Sequence, residues 1–175
     1  MAGFLTSQGV TFKEMSCDLS ASPQAGLNGN GFLHSLVVKD VRLDTINFRL
    51  TQRKEHLSFG GQIRNNKKNP QFVFNALFDG ILQERGATLG VRIFDANDKM
   101  GARLGFKAEM ADSGLNVHLI PERPVLGYKE FTLNKENFAF LGKDGRVKAN
   151  ISLRADDGMG VRVYSSGNDP TFFRT

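Results

Sequence analysis

Three histidines, one cysteine and scattered carboxylates are the side chains of this sequence able to do chemistry. His34, His56 and His118 lie far apart, and none has a second His or a Cys at metal-ligand spacing. His118, between Val117 and Leu119, reads as a surface residue rather than a ligand or base. Ser35 follows His34 directly, but neighbours in a strand point to opposite faces and cannot form a nucleophile–base pair. There is no Gly-x-Ser-x-Gly elbow. Asp95, Asn97 and Asp98 resemble the opening of a calcium loop. Lys99 then stands where an oxygen ligand is needed, Met100 where the glycine is needed, and the closing Glu is missing, so a hairpin turn is expected. Gly158-Met159-Gly160 lacks the third glycine and the helix of a phosphate-binding turn. Glu109 and Asp112 read as solvated charges at a strand end rather than as an acid–base pair. Cys17 has no partner for an internal disulfide, and its place in Met15–Cys17–Leu19 predicts a small buried hydrophobe. The chain is therefore expected to be no enzyme and to hold no cofactor or metal.

The elements that carry these residues have a period of two. Leu57, Phe59, Gly61 and Ile63 alternate with polar neighbours, as do Phe72, Phe74, Ala76 and Phe78, and Ala87, Leu89, Val91 and Ile93. The longest run is Met100, Ala102, Leu104, Phe106, Ala108 and Met110, opposed to Arg103, Lys107 and Glu109. Leu115, Val117 and Leu119 follow, then Val147, Ala149, Ile151, Leu153 and Ala155. A phase break between Leu43 and Ile46 suggests a bulge. Turn signals are read at Asn28-Gly29, Asn30-Gly31, Asn65-Asn66, Asp79-Gly80, Ser113-Gly114, Asp144-Gly145 and Asp157-Gly158. Fifteen Phe, no Trp and nineteen Gly suit short-punctuated strands, and no stretch shows a capped helical period. About ten to twelve strands are expected, in an all-β fold.

Composition narrows the partners. The net charge is +5, but Lys and Arg are interleaved with Asp and Glu. The densest basic cluster, Arg64 to Lys68, sits in an Asn-rich turn without a stripe of exposed aromatics, so nucleic acid is not an expected partner. No run approaches the ~18 apolar residues of a membrane helix. Residues 1–10 lack the basic start and apolar centre of a signal peptide, which places any export signal outside this chain.

Long one-faced strands need a cover for their apolar side. Two sheets can close over each other as a β-sandwich, or one sheet can leave an open apolar trough. Gly61, Ala76, Ala87, Ala102, Ala108, Ala149 and Ala155 stand among larger residues on the apolar side, and on the residues alone this favours a packed core.

The last third is more distinctive. Arg123-Pro124-Val125-Leu126 with Tyr128, Phe131, Leu133-Asn134, Asn137-Phe138, Gly142 through Val147, and Ala155 through Gly158 with Gly160-Val161 resemble the TamB family, the AsmA-like translocation and assembly module proteins of Bacteroidota-type bacteria. Phe59, Gly61, Ile63 and Asn65-Asn66-Lys67-Lys68, then Gln71-Phe72-Val73-Phe74, are similar to the same family upstream, and together the likeness covers about residues 40–165. The resemblance implies an elongated, curved or folded antiparallel sheet, a β-taco or solenoid-like groove, with a β-sandwich as the alternative. It implies an inner-membrane anchor elsewhere in a parent protein, a periplasmic location, and a groove that passes phospholipid acyl chains toward the outer membrane. It also implies a partner barrel protein of the BamA type, and the rest of the parent chain as a partner. Lining residues on that reading are Phe59, Phe72, Phe74, Leu89, Val91, Leu104, Phe106, Val117 and Ile151. The family offers no catalytic residues. Residues 1–175 are then one all-β segment, with 166–175, which depart from the pattern, as a disordered tail. The competing functions are a cell-surface adhesion or carbohydrate-binding module on a closed sandwich, and a β-rich hydrolase, which the missing acid, base and nucleophile disfavour.

Overall fold

In the computed structural model residues 9–165 and the backbone of 173–174 are described. They are all-β, as expected. The strands are β1 (Val10–Thr11), β2 (Glu14–Ser22), β3 (Gly26–Val38), β4 (Val41–Arg53), β5 (His56–Asn65), β6 (Phe74–Gln83), β7 (Gly86–Asp95), β8 (Met100–Ala111) and β9 (Gly114–Leu126). Two-residue strands β10 (Lys129–Glu130) and β11 (Thr132–Leu133) precede β12 (Phe138–Gly142), β13 (Val147–Arg154), β14 (Gly160–Ser165) and β15 (Phe173–Arg174). Eleven of the strands among the described residues have five residues or more, and three of these reach 13 residues. They form one open antiparallel sheet that does not close on itself, in the order β1-β3-β4-β5-β6-β7-β8-β9-β12-β13-β14-β15, with β2 also on β3. The expectation for 1–10 falls mainly, and that for 166–175 almost wholly, outside the described residues; β15 pairs its backbone with Tyr164 and Ser165.

Two compact units divide the chain: residues up to Ile81 with Ile93–Lys99, and Leu82–Arg92 with Met100 onward. The packed core favoured by the small residues is not formed. Among the described residues only Ala76, Val125, Phe131, Leu133, Ala149 and Ala155 are buried hydrophobics, while Met15, Leu19, Met110 and Val161 are more than half exposed. An open sheet covers its apolar side only by contact between neighbouring side chains, which leaves most of them half-buried. Cys17 shows the consequence. It is exposed, not buried, on a strand that among the described residues pairs only with β3.

Three local expectations are corrected. Asn28-Gly29 and Asn30-Gly31 lie inside β3, and Asp79-Gly80 inside β6, rather than at turns. The turns flanking β4 are made instead at Lys39 and Lys54, whose φ of 55° and 54° a Lys was not expected to adopt. The ladder between β3 and β4 keeps its offset from Leu36↔Leu43 to Leu33↔Ile46, so the phase break is no bulge. The irregularity there is Ser35, with φ 53°. A bulge does occur between Arg103 and Gly105, opposite the segment from Ile120 to Val125.

Asn side chains repeat one structural device in both units. Asn65, 1 % exposed, accepts from Asp44 N at 2.9 Å and donates to Arg42 O at 3.2 Å, so its amide pairs with β4 as a strand backbone would. Asn69 Nδ2 donates to Arg42 O and Asp44 Oδ1, and Gln71 Oε1 accepts from Arg42 N at 2.9 Å. In the second unit Asn137 accepts from Leu119 N at 2.6 Å and donates to Leu119 O at 3.3 Å, while Asn134 accepts from Ser152 N at 2.8 Å. Buried backbone groups beside a strand end need such partners. The Asn-rich turn is thus as much a sheet-completing element as a solvated loop.

Candidate functional site

The registers sort many apolar-side residues of the longer ladders into rows that run across the strands, because directly paired residues share a face. In the second unit Ala108, Val117, Ala139 and Ala149 form one row over β8, β9, β12 and β13. On one side stand Phe106 and Leu119, with Ile151 and Val163 at the same level beyond β12. On the other stand Met110, Leu115, Leu141 and Val147. A row of small residues between two rows of larger ones is a shallow trough. It crosses four strands, about 14 Å at ~4.8 Å per strand, and its bordering rows are four residues or ~13 Å apart.

The first unit has comparable apolar rows, but a large side chain stands in the middle one and a glycine in a bordering one. Cys17, Gly31, Phe48 and Gly61 form the middle row, between Met15, Leu33, Ile46 and Ile63 on one side and Leu19, Gly29, Leu50 and Phe59 on the other. Its large side chains lie flat. A Cβ on Gly31 would stand 2.5 Å from Phe48 Cζ, one on Gly61 2.5 Å from Phe78 Cζ, and one on Gly29 would meet Leu19 Cδ2. Glycine on one strand therefore seats a ring or a Leu from the next. The result is an apolar layer one side chain thick.

The nine expected lining residues fall into three groups. Phe59, Phe106 and Ile151 stand in bordering rows and Val117 in a middle row. Phe72 lies before β6 with its ring 5.3 Å from that of Phe74, the first residue of β6, and is 51 % exposed. Leu89 and Val91 share one side of β7, and Leu104 sits at the bulge of β8, where register no longer assigns it to a row. Phe59, Phe72 and Phe74 belong to the first unit and the other six to the second. Ala139 and Phe48, which define the middle rows, were missed, since only the register reveals a row.

The polar side carries the ionisable groups. His118 is paired with Lys107, and its Nδ1 lies 2.6 Å from the Asn137 carbonyl oxygen, part-buried rather than a free surface residue. His34 Nδ1 lies 3.3 Å from Glu14 Oε2, and its ring stacks on Phe32 at 4.6 Å. Lys107 Nζ, 2.7 Å from Glu109, holds that carboxyl below its ordinary pKa through a hydrogen bond and its charge. Asp157 is lowered by the hydrogen bond from Lys129, and Asp144 by the backbone N–H of Arg146. Asp95 makes the hairpin turn expected of it, accepting from Asn97 N and Lys99 N. Among the described residues no three His, Cys, Asp or Glu side chains gather in a metal-binding group, and no helix is long and apolar enough to cross a membrane.

The segments that carry the family likeness have structural work. Pro124, Val125, Phe131 and Leu133 are buried, Asn134 and Asn137 complete the sheet, and Gly145 and Gly158 turn with φ of 82° and 86°. The Tyr128 ring lies over Gly101. Comparison with known proteins found no matching family model, no curated relative and no solved structure of similar fold.

Proposed function

We propose that this chain is a non-catalytic periplasmic segment of a TamB-like protein whose apolar sheet face carries phospholipid acyl chains. The observation that supports it best is the trough in the second unit: a row of Ala and Val bordered by rows of Phe, Leu, Ile, Val and Met, open to whatever lies on it. An acyl chain needs a continuous dry surface and no polar group, which is what such a row provides. The strength expected is modest. Removing a methylene from water contributes ~0.8 kcal/mol, so about ten methylenes half-covered contribute roughly 4 kcal/mol, near a millimolar dissociation constant. Weak, exchangeable binding suits passage better than storage.

On this reading the parent protein is anchored in the inner membrane, acts in outer-membrane biogenesis with a barrel protein of the BamA type, and continues the groove with the rest of its chain. The reading needs no cofactor and no nucleic acid. A lysophospholipid carrying a nitroxide on its acyl chain tests it through amide broadening in nuclear magnetic resonance spectra. Ala108, Val117 and Ala139 should broaden ahead of Lys107, His118 and Phe138, their neighbours on the polar side. Equal broadening on both faces, or none, would remove the basis for the proposal.

A further inference from the structure

The other face of the first unit holds a second feature that acyl chains do not explain. There the registers set Asn28, Thr51 and Ser58 in one row, Asn30, Arg49 and Gly60 in the next, and Phe32, Asn47 and Gln62 in a third. Around Gly60 lies a concavity of about 700 Å³, lined by Asn30, Asn47, Arg49, Thr51 and Gln62 together with Phe32, Phe48 and Phe59 among others, within the ~300–1,000 Å³ of small-molecule sites.

Gly60 is part of its lining, and the crowding that calls for glycine elsewhere in these strands is milder there. Glycine inside a strand weakens the strand, and is found where a ladder bulges or something approaches the backbone closely. Gly29, Gly31, Gly61, Gly105 and Gly114 each answer to that rule, since a Cβ there would collide with a neighbouring strand's atoms. Gly60 answers to it more weakly. Its φ is not left-handed, and a Cβ would meet the Phe78 backbone O at 3.2 Å and Asp79 Cβ at 3.6 Å, tight but milder than at those five positions. Gly101 shares this milder crowding, but the Tyr128 ring covers it.

The groups around the opening define what fits. The side chains of Asn30, Asn47, Arg49, Thr51 and Ser58 have no hydrogen-bond partner among the described residues, and Gln62 uses its Nε2 on Asn75 Oδ1 at 2.7 Å while leaving Oε1 free to accept. Amides and hydroxyls both donate and accept, as sugar hydroxyls do. Phe32, half-buried against His34, adds an apolar ring beside them. Arg49 is the one charged residue in the lining, not the cluster of cations that a multiply charged anion needs. A flat ring with an apolar face and hydroxyl edges matches this set; an apolar chain or a multiply charged anion does not.

We propose that the concavity at Gly60, with its polar groups and Phe rings, binds a saccharide ring of a neutral oligosaccharide. Most of its lining residues lie on the face opposite the first unit's apolar rows, and the proposal stands independently of acyl-chain binding. The test is titration of the isotope-labelled 175-residue chain with chitotriose, cellotriose and maltotriose, followed by its amide resonances. At least one of these soluble sugars should shift Asn47, Gly60 and Gln62, saturating at roughly millimolar concentration, without moving Ala108 or Ala139. Gly60→Val should weaken that binding at least about tenfold. Should Gly60→Val lose its resolved spectrum, Asn47→Leu, at an exposed position, is expected to weaken the same titration. No shift at these residues with any of the three sugars, or titrations unchanged in a folded variant, would overturn the proposal.

Discussion

Replacing Gly61 by alanine should destabilise the chain, while the same change one residue earlier should not. The new methyl at Gly61 would lie on the Asn47 carbonyl oxygen and 2.5 Å from Phe78 Cζ. The oxygen belongs to the ladder between β4 and β5, so relief requires the strands to part or the Phe78 ring to lift off its seat. Forced overpacking of this kind costs about 1–3 kcal/mol. The reduced freedom of the unfolded chain returns ~0.4–1 kcal/mol, leaving a net loss of about 1–2 kcal/mol. For a chain of this size each kcal/mol moves the midpoint by roughly 2–4 °C, so Gly61→Ala should melt about 2–8 °C lower. At Gly60 the nearest atom is 3.2 Å from the new methyl, and strain and entropy nearly cancel, leaving a change within about 0.5 kcal/mol. Thermal melts of both variants by circular dichroism decide the matter. Equal midpoints, or a larger loss at Gly60, would refute the reasoning that rings seated on glycines build the apolar layer.

Other outcomes follow from particular contacts. Asn137→Ala leaves the Leu119 N–H and carbonyl without their side-chain partner and should cost about 2–3 kcal/mol in urea unfolding; a loss no larger than that of an exposed-site Asn→Ala control would argue against the sheet-completing role. Asp157 has its pKa lowered in the folded chain by Lys129, so this contribution to stability is present above the ordinary carboxyl pKa and fades as pH falls through the lowered value. Carboxyl titration by nuclear magnetic resonance should show the Asp157 pKa returning toward its ordinary value in Lys129→Met, and no movement would break that link. Cys17 should react with a maleimide in the folded state about as fast as after urea unfolding, since it is exposed; protection detected by mass spectrometry would contradict the open edge at β2.

The strand period was legible because apolar alternation needs only local sequence, and it located β4, β5, β7, β8, β9 and β13. Turns at Asp144-Gly145 and Asp157-Gly158 were legible for the same reason, glycine being the residue that takes a left-handed φ without strain. That rule misled at Asn28-Gly29 and Asn30-Gly31, where the glycines answer to lateral crowding by Leu19 and Phe48, a tertiary cause invisible to a local pattern. It also missed Lys39 and Lys54, whose turns are dictated by the antiparallel pairing of β3, β4 and β5. The choice between core and open face was illegible at single positions, because Ala149 or Val117 suits either. Pairing resolves it: Ala108, Val117, Ala139 and Ala149 become one row only once three registers are known. Asn65 and Asn137 looked like turn residues, and their role as backbone substitutes depends on strands 18 to 23 residues away in sequence.

Acyl-chain binding in the trough is tested most directly by native mass spectrometry of the chain purified from bacterial cells, beside Ala139→Phe, which fills the middle row of the second unit's trough. The account predicts phospholipid retained by the unaltered chain and markedly reduced in Ala139→Phe, with unchanged circular dichroism. A lipid-free unaltered chain, or equal lipid on both, would contradict it.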